Sequence, residues 1–390
     1  MDRKIYLDHN ATTPVYPEVL EAMLPFYKEG FGNASSIHSF GREAKVALEE
    51  SREKISKLLN ADPLEIYFTS GGTESDNLAV KGIAWANRKK GNHIITSKIE
   101  HHAILESCKY LEREGFEVTY LPVDKYGLVA PDELKKNIKK ETILVSIMHA
   151  NNEVGTIEPI PELSKIAREN GVYFHTDAVQ STGKIKIDVN SLGVDLLSLS
   201  AHKFYGPKGV GAIYIKRGVR LTPLAHGGHH EKARRAGTEN VPGIVGLAKA
   251  LEIANRDMEK EDKRLKNLSE RFFEKITEQI PDVYLNGHPE LRIPNTLNLS
   301  FKGVEGESII LSLDLKGIAV ASGSACTSGT LEPSHVLSAM GVPPDLAQSS
   351  LRFSFGRSNT IDDIDYVVEV LPEIVSRLRA MSPIYQKEKA

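Results

Sequence analysis

From about residue 60 to residue 220 the chain alternates short β-branched and aromatic runs with longer stretches whose apolar positions recur at helical spacing. The short runs predict strands over Glu65–Thr69, His93–Ser97, Glu117–Leu121, Thr142–His149, Val172–Thr176, Asp195–Ser200 and Gly211–Lys216. Amphipathic stretches between them, such as Glu74–Lys89 and Ile160–Asn170, predict helices. This alternation predicts an α/β fold with a mostly parallel sheet between helices. Ligands of such sheets bind outside the carboxyl ends of the strands. Ser70, His101, Asn152, Asp177 and Lys203 each fall just after a predicted strand, which points to one shared cleft.

Beyond residue 240 the pattern changes. A charged helical stretch over 247–280, containing Asp257-Met258-Glu259-Lys260-Glu261-Asp262-Lys263-Arg264, predicts a solvated helix joining two domains. After it come strand-like runs at Thr296–Phe301 and Ser350–Phe355, a Gly/Ser-rich segment at Ala321–Gly329, and a closing helix at Ile361–Met381. These elements predict a smaller α+β domain. The expected division is a large domain over 14–260, with 1–13 and 261–390 forming the small one. Neither internal repeats nor low-complexity tracts interrupt the pattern.

Composition narrows the classes. A length of 390 residues suits two domains, and 26% charged with 41% hydrophobic residues is ordinary for a soluble globular chain. The formal net charge of -3 and the scattered Lys and Arg argue against nucleic acid as a partner. The N-terminal residues lack the apolar core of a secretory signal, and no stretch approaches the roughly 20 apolar residues that span a bilayer. Two cysteines, Cys108 and Cys326, make a disulfide framework unexpected and suit a reducing cytoplasm.

The candidate chemistry starts from Lys203, which follows an apolar strand and precedes Phe204-Tyr205-Gly206-Pro207-Lys208-Gly209. Asp177 occupies a similar strand terminus. A lysine able to form a Schiff base, paired with a carboxylate for a pyridinium nitrogen, is the residue pattern of pyridoxal phosphate chemistry. Ser70-Gly71-Gly72-Thr73-Glu74-Ser75 joins a strand to a helix, where glycines admit a phosphate to the helix N-terminus, although any such turn can use glycine. His101 suits ring stacking and proton transfer, or plain structural hydrogen bonding. Asn152 and Gln180 suit a phenolic oxygen, or turn capping. His226, His229 and His230 lack the companions of a metal site, and no metal is expected. Arg352 interrupts an apolar alternation; it suits a substrate carboxylate, or a structural ion pair. Cys108 falls in a helical pattern and reads as core. Cys326 sits among small polar residues and glycines, where packing has little use for a thiol and a travelling nucleophile would.

Taken together these residues resemble the cysteine desulfurases of the NifS/IscS type, within class V of the pyridoxal-phosphate-dependent aminotransferase superfamily. The resemblance runs nearly end to end, through Tyr6-Leu7-Asp8, Ala11-Thr12-Thr13-Pro14, Thr69–Asn77, His149-Ala150-Asn151-Asn152-Glu153, His175–Gln180, the lysine segment and Arg235–Asn240. Ser322-Gly323-Ser324-Ala325-Cys326-Thr327-Ser328 is its most specific part, since it separates desulfurases from the rest of the superfamily.

The resemblance implies the fold type I of pyridoxal-phosphate-dependent transferases, with the large domain binding the cofactor and the small one carrying Cys326. It implies that Lys203 holds pyridoxal 5'-phosphate and moves the Cα proton, that Asp177 meets the ring nitrogen, and that His101 stacks on the ring. It assigns Gln180 and Asn152 to the phenolic oxygen, and Gly72, Thr73, Ser200 and His202 to the phosphate. Thr238 would reach over from the second subunit of a homodimer. Arg352, with Asn152, would bind the substrate L-cysteine. Cys326 as thiolate would take its sulfur as a persulfide, releasing L-alanine, and pass it to an iron–sulfur scaffold protein or another acceptor. Deprotonation of Cys326 by His101 is a further expectation. Selenocysteine lyase, another class V lyase or transaminase, and a sulfur carrier without turnover are the alternatives. Two departures stand out. Gly72 replaces an alanine common in relatives, and the chain ends soon after Ser382-Pro383-Ile384-Tyr385, where some relatives carry a longer docking extension.

Overall fold

In the computed structural model, which describes residues 4–322, 333–382 and 385, the β-branched runs form strands. In chain order these are β1 (Ile5–Tyr6), β2 (Ile66–Thr69), β3 (His93–Ser97), β4 (Glu117–Leu121), β5 (Thr142–Ser146) and β6 (Tyr173–Asp177). They continue with β7 (Leu196–Ser200), β8 (Gly211–Ile215), β9 (Val283–Asn286), β10 (Thr296–Phe301), β11 (Ile318–Ala319) and β12 (Ser350–Ser354).

Seven of them make one sheet in the order β2-β8-β7-β6-β5-β3-β4. Every residue of β3, β5, β7 and β8 is buried, whereas the edge strand β4 is mostly not. Strands covered on both faces read as continuous apolar runs rather than alternations, which is why the sequence marks them so clearly. Most neighbours pair parallel, as expected. Strand β8 departs from that pattern and runs antiparallel to both β2 and β7. The short connection 201–210 explains the reversal, because a parallel crossover needs a dozen or more residues.

Helices Gly72–Asn87 and His102–Arg113 cover one face, burying Leu78, Ile83, Ile104 and Leu111 with the core thiol of Cys108. Helix Ser39–Leu59, for which the sequence pattern gave no expectation, packs Leu48 and Ile55 on the other face beside Leu163 and Leu247. The 39-residue helix Val241–Gln279 joins two cores, and it is more than a solvated strut. Its first half buries Ile244, Leu247 and Leu251 against the large sheet. Its second half buries Leu265, Leu268, Phe272 and Ile276 in a separate cluster with β10, β12 and helix Ile361–Ala380. Ile5 and Leu7 belong to that second cluster, brought there by parallel pairing of β1 with β11.

Candidate active site

Parallel strands deliver their carboxyl ends to one edge of the sheet, and the turns that follow β2, β3, β5, β6 and β7 build a cleft there. The cleft has a volume of about 170 Å³. Gly72, Thr73, His101, Asn152, Asp177, Gln180, Ser200, His202 and Lys203 line it together, joined by Asp76, Met148 and Val179. Nine residues expected at one site therefore meet, although they span 132 positions of sequence, from 72 to 203 counted inclusively.

Lys203 closes a single turn of 3-10 helix, Ala201–Lys203, directly after β7. Its Nζ donates to the backbone carbonyls of Asn10 at 2.5 Å and Ala11 at 2.9 Å. Thr13 clamps the same turn: its N–H and hydroxyl both donate to the His202 carbonyl at 3.0 Å, and its Oγ1 accepts from the Tyr205 N–H at 2.8 Å. Tyr205 has φ of 68°, a left-handed conformation that costs a non-glycine residue about 1–2 kcal/mol. The lysine is thus held on a strained turn by the N-terminal segment.

Asp177 ends β6, buried, with Oδ1 accepting from the Val179 N–H at 2.8 Å. Burial raises its carboxyl to about 6, while the Val179 amide and Lys203 pull it down. At neutral pH it therefore remains ionised, as a partner for a ring N–H must be. Behind it lies a buried polar row. His175 bonds Ser146 Oγ and Ser198 Oγ, each at 2.9 Å, and its Nε2 lies 3.7 Å from Asp76 Oδ1. Burial and the nearby Asp177 push the Asp76 carboxyl well up, toward the neutral acid.

His101 is the N-cap of helix His102–Arg113, and its Nδ1 accepts from the Ala103 N–H at 3.1 Å. That bond leaves the proton of the neutral ring on Nε2. Burial, with Lys203 nearby, lowers the imidazole to about 4, so the ring is neutral. In this tautomer Nε2–H is a donor, and accepting a proton from a thiol would require the Ala103 bond to be exchanged.

Helix Gly72–Asn87 starts with no side-chain cap, which leaves its first amides to an anion. Gly72 packs so closely that a Cβ there would meet Val179 Cγ2 at 2.7 Å. Ser200 is buried at the same end, and His202 Nδ1 bonds Thr12 Oγ1 at 3.1 Å. An uncapped helix end with hydroxyl and imidazole donors, a lysine, and an ionised buried carboxylate match the phosphate, aldehyde and ring nitrogen of pyridoxal phosphate. The donor set fits that group.

Arg352 and Thr238 do not line the cleft. Arg352 is buried in β12, donating to Asp8 Oδ1 at 2.7 Å and to the Asn152 carbonyl at 3.0 Å. It therefore adjoins the cleft through Asn152. Thr238 is exposed, in a segment tied to the phosphate turn by Arg235, whose Nε donates to Glu74 Oε1 at 2.9 Å. Cys326 lies outside the described residues. The described flanks of its segment are anchored beside the cleft. Ala321 exchanges backbone bonds with Arg352. Ser334 donates to Glu153 Oε2 at 2.5 Å, and His335 Nε2 bonds the Glu100 carbonyl at 3.0 Å while its ring lies 4.9 Å from that of His102.

Sequence reasoning missed Asn10 and Lys184. Asn10 is fully buried; its carbonyl accepts from Lys203 and Gln180, and its Nδ2 donates to the Asn152 carbonyl at 3.2 Å and Thr296 Oγ1 at 2.8 Å. Its signal was its place within Asp8-His9-Asn10-Ala11-Thr12, a polar run beside an apolar strand. Among the described residues no cluster of metal-ligating side chains occurs, and no helix is long and apolar enough to cross a membrane.

The chain matches the aminotransferase class-V family over residues 5–367. It is 60% identical to a protein of Dictyoglomus turgidum named cysteine desulfurase IscS, covering 100% of this chain and 99% of that one. A protein of Methanosarcina thermophila with the same name is 58% identical, covering 99% and 96%. A solved structure of a NifS-like protein superposes with a TM-score of 0.91 at 42% identity, covering 96% of this chain and 100% of that one. The chain belongs to the aminotransferase class-V family, within its group of IscS- and NifS-like proteins.

Proposed function

We propose that the protein is a cysteine desulfurase that takes sulfur from L-cysteine, leaving L-alanine and a persulfide on Cys326, and passes it on for iron–sulfur cluster assembly. One observation carries the reading: Ala321 and His335, the described residues on either side of the stretch holding Cys326, pair with Arg352 and lie against His102, neighbours of Asn152 and His101 in the cleft that also unites Lys203 and Asp177. The names of the relatives, cysteine desulfurase IscS, support it.

The cofactor is pyridoxal 5'-phosphate, which when bound draws electrons from the substrate carbon and weakens its bonds. The residues of this chain do the rest. Lys203 holds the cofactor and moves the Cα proton. Asp177 keeps its charge beside the ring nitrogen. Gln180 and Asn152 would meet the phenolic oxygen, and the His101 ring would lie against the cofactor ring and donate through Nε2. Gly72 and Thr73, at the uncapped helix end, hold the phosphate with Ser200 and His202. Arg352, beside Asn152, takes the substrate carboxylate. The Cys326 thiolate forms an S–S bond with the substrate sulfur as the C–S electron pair returns to carbon, which takes a proton and leaves as alanine.

A homodimer with Thr238 reaching the partner's phosphate site is part of the reading. Thr238 is exposed and outside its own cleft, and Phe31 and Phe40, exposed apolar rings 5.6 Å apart, suit contact with a second copy. The division into a large domain over 14–260 and a small one of 1–13 and 261–390 is supported by the two hydrophobic clusters that share helix Val241–Gln279. The proposed compartment is the cytoplasm. Incubating the pyridoxal-phosphate-loaded protein with L-cysteine and, separately, with L-selenocysteine tests the activity. Alanine from cysteine supports it; alanine from selenocysteine alone would replace it with a selenocysteine lyase.

A further inference from the structure

Lys184 follows Gln180 by one helical turn's spacing in Gln180-Ser181-Thr182-Gly183-Lys184, and its ammonium is turned inward rather than to solvent. Its Nζ donates to Gln180 at 2.9 Å and to Asn10 Oδ1 at 3.0 Å. An ammonium has donors only, so the Gln180 atom that meets it must be the carbonyl oxygen Oε1. The opposite atom, Nε2, then donates one proton to the Asn10 carbonyl at 2.9 Å. Its second proton has no partner among the described residues, and Gln180 lines the cleft. The Asn10 carbonyl only accepts, so it selects the same end of the amide, and Lys184 selects it a second time from the oxygen side.

We propose that Lys184 is a positioning residue that, together with the Asn10 carbonyl, fixes the orientation of the Gln180 amide, so that the cleft meets a donor and not an acceptor. The inference deepens the reading of the cleft as a pyridoxal phosphate site, in which Gln180 faces the phenolic oxygen; that oxygen is best served by an N–H. Asn10 completes the arrangement. Its side-chain oxygen holds Lys184, and its carbonyl receives both Gln180 and the catalytic Lys203. The orientation of Gln180 and the placement of Lys203 therefore share one anchor. Burial and the charges of Lys203 and Arg352 lower the Lys184 ammonium well below its usual range; the neutral amine keeps two N–H donors, one each for Gln180 Oε1 and Asn10 Oδ1, while the Asn10 carbonyl holds Gln180 Nε2. Lys184 also borders a second cavity, on the side of Lys203 near His9 and Asn295.

The test uses the pyridoxal-phosphate-loaded protein and two readouts other than turnover: the position of the visible absorption band and the cofactor dissociation constant from equilibrium dialysis. Lys184→Met is expected to displace the band and to weaken cofactor binding about three- to tenfold, the loss of one oriented hydrogen bond. Lys184→Arg, which keeps donors, is expected to restore both. Gln180→Ala should displace the band similarly, and Lys184→Met added to it should change nothing more. A wild-type band and affinity in Lys184→Met, or effects that simply add in the double variant, would overturn the inference. Gln180→Glu keeps the pair to Lys184 but replaces Nε2 with an oxygen, which removes the cleft-facing donor together with the bond to the Asn10 carbonyl; if Lys184→Met does not fold, an unshifted band in Gln180→Glu also overturns the inference. A wild-type protein that takes up no pyridoxal phosphate would instead overturn the reading of the cleft, and this inference with it.

Discussion

Arg352 donates to Asp8 Oδ1 at 2.7 Å, while its Nε has no hydrogen-bond partner among the described residues. The pair joins β12 to the segment after β1 and holds the guanidinium against the cleft wall through Asn152. In the proposed reaction this guanidinium, with an N–H still unused, would bind the substrate carboxylate. Arg352→Lys loses the planar fork, so KM for cysteine should rise about 10- to 100-fold while kcat changes much less. Steady-state kinetics over a cysteine titration checks this. A KM within twofold of wild type would leave Arg352 a purely structural ion pair.

Asp177 links the site to stability. Its carboxyl, raised to about 6, holds a proton more tightly in the folded chain than in the unfolded one. The stability it contributes is present below the unfolded value, near pH 4, and is lost as pH rises through about 6. Asp177→Asn mimics the neutral acid and avoids that loss. The cofactor-free variant should therefore be more stable than cofactor-free wild type by about 1–3 kcal/mol above pH 7, with the difference vanishing near pH 4. Denaturant titrations at both pH values check the sign. The same variant should lose cysteine turnover once loaded, because the ring nitrogen has lost its anion.

Gly72 offers a packing test. A Cβ at that position would lie 2.7 Å from Val179 Cγ2, on the turn expected to hold phosphate. Gly72→Ala should weaken cofactor binding or destabilise the fold by about 1 kcal/mol or more, as overpacking does. Val179→Ala removes the offending methyl and should cancel that cost. Full additivity of the two substitutions would show that the contact does not limit this turn.

Much of the cleft was legible because chemistry and periodicity coincide there. Lys203, Asp177 and His101 carry rare residue types to the ends of apolar runs, and fully buried parallel strands announce themselves as such runs. What escaped was of two kinds. Strand β8 reads like its neighbours, and only the short 201–210 connection fixes its reversed direction. Asn10 acts through contacts with Gln180 and Lys184, 170 and 174 positions away, and neither Asn10 nor Lys184 is an unusual residue type in its own stretch. Arg352 showed the converse. Its sequence context left two readings open, and the structure displays the ion pair while keeping it beside Asn152.

The most direct test is a single turnover of the pyridoxal-phosphate-loaded protein with L-cysteine in the absence of reductant, followed by alanine assay and peptide mass mapping. The account predicts about one alanine per active site, with the mass of one added sulfur atom on the peptide containing Cys326. Cys326→Ser should give neither. Sulfur transfer to an acceptor at wild-type rate by Cys326→Ser, or a wild-type protein that releases alanine while the Cys326 peptide stays unmodified, would contradict it.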